Sequence, residues 1–194
     1  LTVPPNERWD NHTSLTKIQH RLAGALVRER PPGLGPDFPL LQVGDPLAAL
    51  MQIGAAARNR IRGKVVCITG SAGKSTTVSM LNSVLSPLLN CRSTYDNYNT
   101  RGVNLASAQP DTDAVILETA LSALNAARQP HVRRVAPDIA VITNITTAHL
   151  RDGETTLDIA RKKSRIFLAM QPGKTAILWS GSAHFDEMAA QAHK

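Results

Sequence analysis

The feature that most constrains this chain is a glycine loop between an apolar strand and a helix. The apolar run Val65–Thr69 has the length of a strand and leads directly into G-S-A-G-K-S-T-T over residues 70–77. Glycines let the backbone turn its N–H groups towards an anion, and the N-terminus of the following helix adds partial positive charge. The pattern predicts a phosphate-binding loop made of Gly70, Ser71, Ala72, Gly73, Lys74, Ser75 and Thr76.

The loop has the short G-x-x-G-K-S spacing. The commoner G-x-x-x-x-G-K-[ST] pattern would require glycine at position 68, where this chain has Ile68. In either form Lys74 can reach the terminal phosphates, and the Ser75 hydroxyl can bind Mg²⁺. The alternative interpretation is a glycine-rich turn that binds no ligand.

Short apolar strands alternate with helical segments after residue 64, which predicts parallel strands joined by crossover helices. The expected fold class is therefore α/β, with a mostly parallel, doubly wound sheet between two layers of helices. The predicted strands are 65–69, 92–95, 114–118, 139–143 and 175–179. The predicted helices are 14–25, 46–61, 75–88, 155–170 and 183–192, with weaker signals at 103–108 and 131–135.

Length and composition limit the class of protein. The 194 residues are 42% hydrophobic and 19% charged, which allows one domain with a core, or one domain and a fragment of another. Apolar runs are far shorter than the ~20 residues of a membrane helix, and no signal peptide is visible at Leu1. Cys67 and Cys91 have no disulfide or metal-site spacing, so we expect reduced thiols and a cytoplasmic protein.

The net charge of +7 favours an anionic partner, either a nucleotide, a phosphorylated metabolite or a nucleic acid. Aromatic residues make up only 4% of the chain and are not interleaved with its basic residues. A stacking surface for single-stranded nucleic acid needs that interleaving, so nucleic acid is disfavoured.

Polar side chains follow two of the predicted strands. Glu118 ends the run Ala114–Leu117, and His149 lies in the polar segment after the strand 139–143. Because the carboxyl ends of parallel strands line the ligand crevice, Glu118 is a candidate Mg²⁺ ligand beside Ser75. A capping glutamate and a surface histidine are the structural alternatives.

Together these segments resemble the Mur ligase family of ATP-dependent amide ligases. Its members include enzymes that extend the peptidoglycan stem peptide, folylpolyglutamate synthetases and cyanophycin synthetases. The resemblance begins near Leu40 and continues to the end of the chain. It is carried by the loop 69–77, the segment 97–102, the strands 115–118 and 137–145, the turn 148–150 and the helix 159–167.

The resemblance implies roles for five residues. Lys74 contacts the β- and γ-phosphates of ATP, and Ser75 and Glu118 bind one Mg²⁺. His149 binds a second Mg²⁺. Lys163, at the lysine of the family's K-x-x-I-F pattern, carries a carbamate that supports the second metal. Lys74, Lys163 and His149 are the expected catalytic residues.

Three asparagines receive roles from the same resemblance. Asn144 is expected near the nucleotide, and Asn97 and Asn99 near the acceptor substrate. After the last strand, where the family often has an Asn-x-Asp-Asp turn, this chain has Trp179 and a serine-glycine turn instead.

The implied activity is ligation through an acyl phosphate. A substrate carboxylate attacks the γ-phosphate of ATP, and an amine then displaces phosphate to leave an amide, in cell-wall or related peptide synthesis. Residues 1–40 are expected to be a remnant of an N-terminal domain with a proline-rich linker, and residues 41–194 the central ATP-binding domain. The expected partners are ATP, a carboxylate substrate, an amine and the absent C-terminal domain, without a membrane. The chain alone is expected to bind nucleotide but to ligate poorly.

Within the family, Asp45–Leu50 and Tyr95–Val103 look most like the ligases that add D-alanyl-D-alanine to a UDP-linked tripeptide, whereas Leu117–Ala120 looks like cyanophycin synthetase. Two other classes stay open. A P-loop phosphotransferase or NTPase would keep Lys74 and Ser75, and a non-catalytic nucleotide-binding member of the family would be consistent with the departures at Thr119 and Trp179.

Overall fold

The computed structural model describes residues 12–94, 108–124, 135–148, 150 and 153–193. It divides into two compact units, Leu1–Gln52 and Ile53–Lys194. The predicted Asn97, Asn99 and His149 lie outside the described residues, as do most of the weak helix signals at 103–108 and 131–135.

The first unit contains helix α1 (His12–Ile18), a 3-10 turn (Gln19–Arg21) and two short parallel strands, β1 (Ala25–Val27) and β2 (Leu40–Gln42). Its core joins Leu15, Val27 and Leu34. The proline-rich segment therefore connects two paired strands and contributes Leu34 to this core. Helix α2 (Pro46–Arg60) begins as expected of an Asp-Pro start, with the Asp45 Oδ1 accepting the Ala48 N–H at 3.0 Å.

The second unit is built on a five-stranded sheet in which every neighbouring pair is parallel. The order is β4-β5-β3-β6-β7, so the chain leaves the central strand β3 first to one side and then to the other. This confirms the predicted doubly wound α/β fold. The strands are β3 (Lys64–Thr69), β4 (Cys91–Ser93), β5 (Ala114–Glu118), β6 (Ile139–Ile142) and β7 (Thr175–Leu178).

Helices cover both faces of this sheet. On one face, α3 (Lys74–Leu85) packs Val78 against Val66, Ile68 and Ile116. On the other face lie α4 (Thr156–Ser164) and α5 (Phe185–Ala192). The larger core cluster on that side joins alternate strand residues to helix residues: Val65, Cys67, Val115, Leu117, Ala140, Ile142, Ala160, Ile166, Phe167 and Met188.

Three predicted helices end at least three residues earlier than expected, and the helix predicted to reach residue 88 ends at Leu85. The helix predicted to reach residue 25 ends at Ile18 and a 3-10 turn, because Ala25 already belongs to a strand. The helix predicted to reach residue 170 ends at Ser164 and is followed by a 3-10 turn, Phe167–Ala169. Both Phe167 and Ala169 are buried, so this tighter turn directs both side chains into the core. None of the helices described is long and apolar enough to cross a membrane.

Candidate functional site

The glycine loop lies where the sequence predicts, between β3 and α3. Gly73 has a φ of 80°, a left-handed backbone that side chains other than glycine rarely adopt. A Cβ on Gly70 would lie 1.8 Å from the Oγ1 of Thr143, which is far inside contact distance. Both glycines are therefore required by the loop's shape and its close approach to Thr143.

Residues that follow β6 hold the loop in place. Asn144 accepts the Ser71 N–H with its carbonyl O at 3.0 Å and the Ala72 N–H with its Oδ1 at 2.9 Å. The Thr143 hydroxyl donates to the Ala72 carbonyl O at 2.7 Å, and the Thr146 N–H donates to the Ser71 Oγ at 3.0 Å. The predicted Asn144 thus lies against the phosphate loop. Thr143 and Thr146 were missed by the sequence analysis, and polar residues directly after a buried strand were the signal available.

The first N–H groups of a helix have no partner within that helix. In α3 these groups belong to Lys74, Ser75 and Thr76, and the first helical bond runs from the Thr77 N–H to the Gly73 carbonyl O at 2.9 Å. Since the N–H groups of Ser71 and Ala72 donate to Asn144, the start of α3 supplies donors for an anion. Positive charge from the helix dipole lies at the same place.

Two lysines meet at one carbonyl of the loop. Lys74 donates to the Gly70 O at 3.2 Å, and Lys163 of α4 donates to the same oxygen at 2.8 Å. Lys163 is only 1% exposed, although the sequence places it among four basic residues. Burial, followed by the positive charge of Lys74, lowers the pKa of Lys163 from 10.5 to about 8. A substantial fraction of this amine is therefore neutral at mildly alkaline pH.

Lys163 is placed by the start of its helix and by its neighbours. Thr155 and Asp158 form a capping box, in which the Thr155 Oγ1 accepts the Asp158 N–H and the Asp158 Oδ2 accepts the Thr155 N–H. Arg161 pairs with Glu187 at the surface, and Lys162 pairs with Glu154. Arg161 is exposed, Lys162 is partly exposed, and Lys163 is the buried member of this run of basic residues.

Ser75 and Glu118 meet as the sequence predicts. The Ser75 Oγ donates to the Glu118 Oε2 at 2.6 Å, across the gap between α3 and β5. Glu118 is 6% exposed, and its N–H donates to the Thr94 Oγ1 at 2.9 Å. A hydroxyl and a carboxylate are the oxygen ligands that Mg²⁺ prefers, so the pair fits that ion. In the described part of the chain no group of three or more His, Cys, Asp or Glu side chains could hold a metal.

Comparison with known proteins decides the family. The Mur ligase middle domain matches residues 68–194, which include the phosphate loop, Glu118 and Lys163. The chain belongs to the Mur ligase family. This confirms the resemblance found in the sequence.

The similar proteins include ligases that are named for the addition of D-alanyl-D-alanine to a UDP-linked tripeptide. A UDP-N-acetylmuramoyl-tripeptide–D-alanyl-D-alanine ligase of Synechocystis is 34% identical over 180 residues, which cover 89% of this chain and 38% of the relative. A MurF crystal structure from Acinetobacter baumannii superposes with a TM-score of 0.79 at 30% identity, over 100% of this chain and 43% of that one. A Thermotoga maritima MurF ligase in complex with ADP is 20% identical, with a TM-score of 0.76, over 100% of this chain and 44% of that one, and supports the fold alone. The chain spans about two fifths of the length of these proteins.

Proposed function

We propose that this chain is the ATP-binding central domain of a Mur-type ligase that joins a carboxylate to an amine through an acyl phosphate. The observation that carries the proposal is the hydrogen bond of Ser75 to the buried Glu118 at 2.6 Å, at the start of the helix that follows the phosphate loop. In a phosphate loop the hydroxyl at the position of Ser75 binds Mg²⁺. A glutamate with a purely structural role at the end of a strand would have no reason to contact that hydroxyl.

The loop residues have separate tasks. The N–H groups at the start of α3 bind phosphate oxygens, and Lys74 exchanges its bond with the Gly70 O for a contact with the terminal phosphates. Ser75 and Glu118 would hold one Mg²⁺, which supplies neutralising charge for the phosphate oxygens. Asn144 holds the loop in the shape that receives the phosphates, through the Ser71 and Ala72 N–H groups.

Lys163 is proposed to carry a carbamate. Its amine is 1% exposed and has a pKa lowered to about 8, so the neutral form that attacks CO2 is accessible near physiological pH. The carbamate would turn a cationic side chain into an anionic ligand for a second Mg²⁺, with His149 as the other proposed ligand. The two Mg²⁺ ions would supply positive charge that stabilises the γ-phosphate oxygens when the substrate carboxylate attacks.

The names of the relatives suggest the substrates. We propose a UDP-linked muramoyl tripeptide as the carboxylate and D-alanyl-D-alanine as the amine, with Asn97 and Asn99 near the acceptor. Since the relatives are more than twice as long as the chain, the part that brings the amine is proposed to lie outside these 194 residues. The cytoplasm is the proposed location for an enzyme that uses ATP and a UDP-linked precursor.

Titration calorimetry with a non-hydrolysable ATP analogue and Mg²⁺ tests the proposal. We expect saturable binding by the parent chain and a loss of at least about tenfold in affinity for Lys74→Ala, because a charge-assisted phosphate contact is removed. Lys64→Ala is the matched control, since this exposed lysine begins β3 at the opposite edge of the sheet. Equal affinity of Lys74→Ala and the parent would contradict the proposal.

A further inference from the structure

Two buried hydroxyls in the second unit have no hydrogen-bond partner among the described residues. They are the Oγ1 atoms of Thr69 and Thr119, and both residues are 0% exposed. A buried hydroxyl that leaves water without a new partner destabilises the fold. Two such groups at the carboxyl edge of one sheet indicate an acceptor that the described residues do not supply there.

Both hydroxyls belong to the same face of the sheet. Side chains alternate between the faces of a strand, and Cys67 and Leu117 lie in the larger core cluster. Thr69 and Thr119 follow two residues later and so take that face. The strand pairing extends to this level, because the Thr119 N–H donates to the Ile68 carbonyl O at 2.7 Å. The two threonines are therefore neighbours on adjacent strands.

Lys163 approaches the same place from the helix layer. Ala160, one turn before it, and Ile166, just after the helix, belong to the core cluster on that face. The Lys163 Nζ donates to the carbonyl O of Gly70, the residue directly after Thr69. The buried amine and the two hydroxyls are thus brought together below the phosphate loop.

Among the described residues, hydrogen-bond donors outnumber acceptors at this place. Lys163 forms no ion pair with any carboxylate in the described ranges. The Gly70 carbonyl O is the acceptor that its amine reaches, and it is shared with Lys74. A group with two acceptor oxygens, attached to the Lys163 nitrogen, would give each of these two hydroxyls a hydrogen-bond acceptor.

We propose that the hydroxyls of Thr69 and Thr119 donate to the oxygens of a carbamate on Lys163 and so act as positioning residues for that group. The inference rests on the carbamate of the proposed function and adds the residues that orient it. Two donors fix the plane of the carbamate and favour its charged form over the free amine. Both threonines hold the modified lysine and neither contacts the phosphates.

The chemical step requires only dissolved CO2. The lone pair of the neutral Nζ forms a bond to the carbon of CO2, one C=O π pair moves to its oxygen, and the nitrogen releases one proton to solvent. The product is an N-carboxylated lysine with one negative charge, and no oxidant or reductant takes part. The two oxygens of this product accept the hydroxyl hydrogens of Thr69 and Thr119.

Carbon NMR of the full chain with ¹³C-bicarbonate measures the modification directly. We expect a carbamate resonance in the parent that is absent from Lys163→Met, which separates Lys163 from other amines. In Thr69→Val and Thr119→Val the half-saturating bicarbonate concentration should rise by about tenfold for each hydroxyl removed. Serine at either position keeps the hydroxyl and should restore saturation close to that of the parent.

Thermal unfolding in CO2-free buffer separates positioning from a structural role. Because neither hydroxyl has a hydrogen-bond partner among the residues described, the valine variants should unfold in this buffer at the parent's temperature or above it. Carbamate saturation in the valine variants equal to that of the parent would overturn the inference and leave the carbamate standing. Absence of any Lys163 carbamate in the parent would overturn both, and the calorimetric titration with Lys74→Ala would still decide the phosphate loop.

Discussion

The Ser75 hydroxyl and the Glu118 carboxylate are joined by a 2.6 Å hydrogen bond between the helix that follows the phosphate loop and the neighbouring strand. Glu118 is 6% exposed, so contacts with the protein rather than with solvent fix the position of its carboxylate. A divalent ion would replace the shared hydrogen with two metal–oxygen contacts. The effects of changing this pair should therefore depend on the metal.

Glu118→Gln should weaken nucleotide binding only when Mg²⁺ is present. Glutamine can still accept the Ser75 hydroxyl but offers a neutral oxygen to the metal, so we expect a loss of about tenfold or more in Mg²⁺-dependent affinity. Calorimetry with the ATP analogue in Mg²⁺ and in EDTA gives both values. Glu187→Gln, which removes the surface pair with Arg161, is the control. An equal loss in EDTA would mean that Glu118 shapes the loop and does not bind the metal.

Gly70→Ala should destabilise the loop more than Gly73→Ala. The new Cβ at position 70 would meet the Thr143 Oγ1 at 1.8 Å, which predicts a loss of about 2 kcal/mol or more in the free energy of unfolding. At position 73 nothing lies closer than 4.0 Å, and the cost is that of a left-handed backbone, about 1 kcal/mol. Urea unfolding measures both. Adding Thr143→Ala to Gly70→Ala should recover part of the loss, and no recovery would refute the clash.

Asp138 should stabilise the second unit except in acid. Its carboxylate pairs with Arg58 at 2.8 Å and Lys174 at 2.6 Å and accepts the Val65 N–H at 2.9 Å. Burial raises the pKa of Asp138, but the Lys174 bond, the Val65 bond and the two positive charges outweigh it and lower the pKa below its usual value. The stabilisation is therefore complete above the ordinary pKa of about 3.9 and is lost as pH falls through the lower folded pKa.

The measurement for Asp138 is the pH dependence of unfolding in the parent and Asp138→Asn. The variant leaves two cations facing a neutral amide, which predicts a loss of about 3 kcal/mol at pH 7. This difference should shrink as pH falls below about 4. Asp186→Asn is the control, since that carboxylate lies in the first turn of α5 and is absent from the described ion pairs. A difference that stays constant down to pH 2 would contradict the role of the charge.

Lys163 should make stability rise with pH in CO2-free buffer. Its folded pKa of about 8 lies below the ordinary 10.5, so the unfolded chain binds more protons than the folded chain between these values. The free energy of unfolding therefore increases as pH rises from about 8 to about 10.5. Lys163→Met should remove this increase, whereas Lys162→Met should keep it, because Lys162 is paired with Glu154 near the surface. The same slope in Lys163→Met would assign the increase to another group.

The parts of the fold that the sequence predicted best are those with a strong local pattern. The prediction placed the start of the strand at 65–69 and the start of α3 within one residue of their observed positions. An apolar strand followed by two glycines and a helix start is compatible with only one local arrangement, a strand, a loop and a helix. The three-residue strands Ala25–Val27 and Leu40–Gln42 were missed. Their pairing joins segments separated by a proline-rich stretch, and no local periodicity reports such a contact.

The candidate site also has features that the sequence predicted and features that it did not. The meeting of Ser75 with Glu118 follows from the position of both residues at the carboxyl edge of parallel strands, and the structure confirms it. The burial of Lys163 beside the exposed Arg161 and the half-buried Lys162 depends on which side of α4 packs on the sheet, and the run of charged residues obscured this. The Thr69 and Thr119 hydroxyls, which have no partner in the described part of the chain, become visible only from the three-dimensional packing.

The most direct measurement is anomalous diffraction from crystals soaked with the ATP analogue and Mn²⁺ as a reporter for Mg²⁺. The account predicts an anomalous peak in contact with the Ser75 Oγ and a Glu118 carboxylate oxygen, with the terminal phosphates at the start of α3 and within reach of Lys74. Nucleotide bound elsewhere on the chain, or phosphates in the loop with a metal that neither Ser75 nor Glu118 touches, would contradict it.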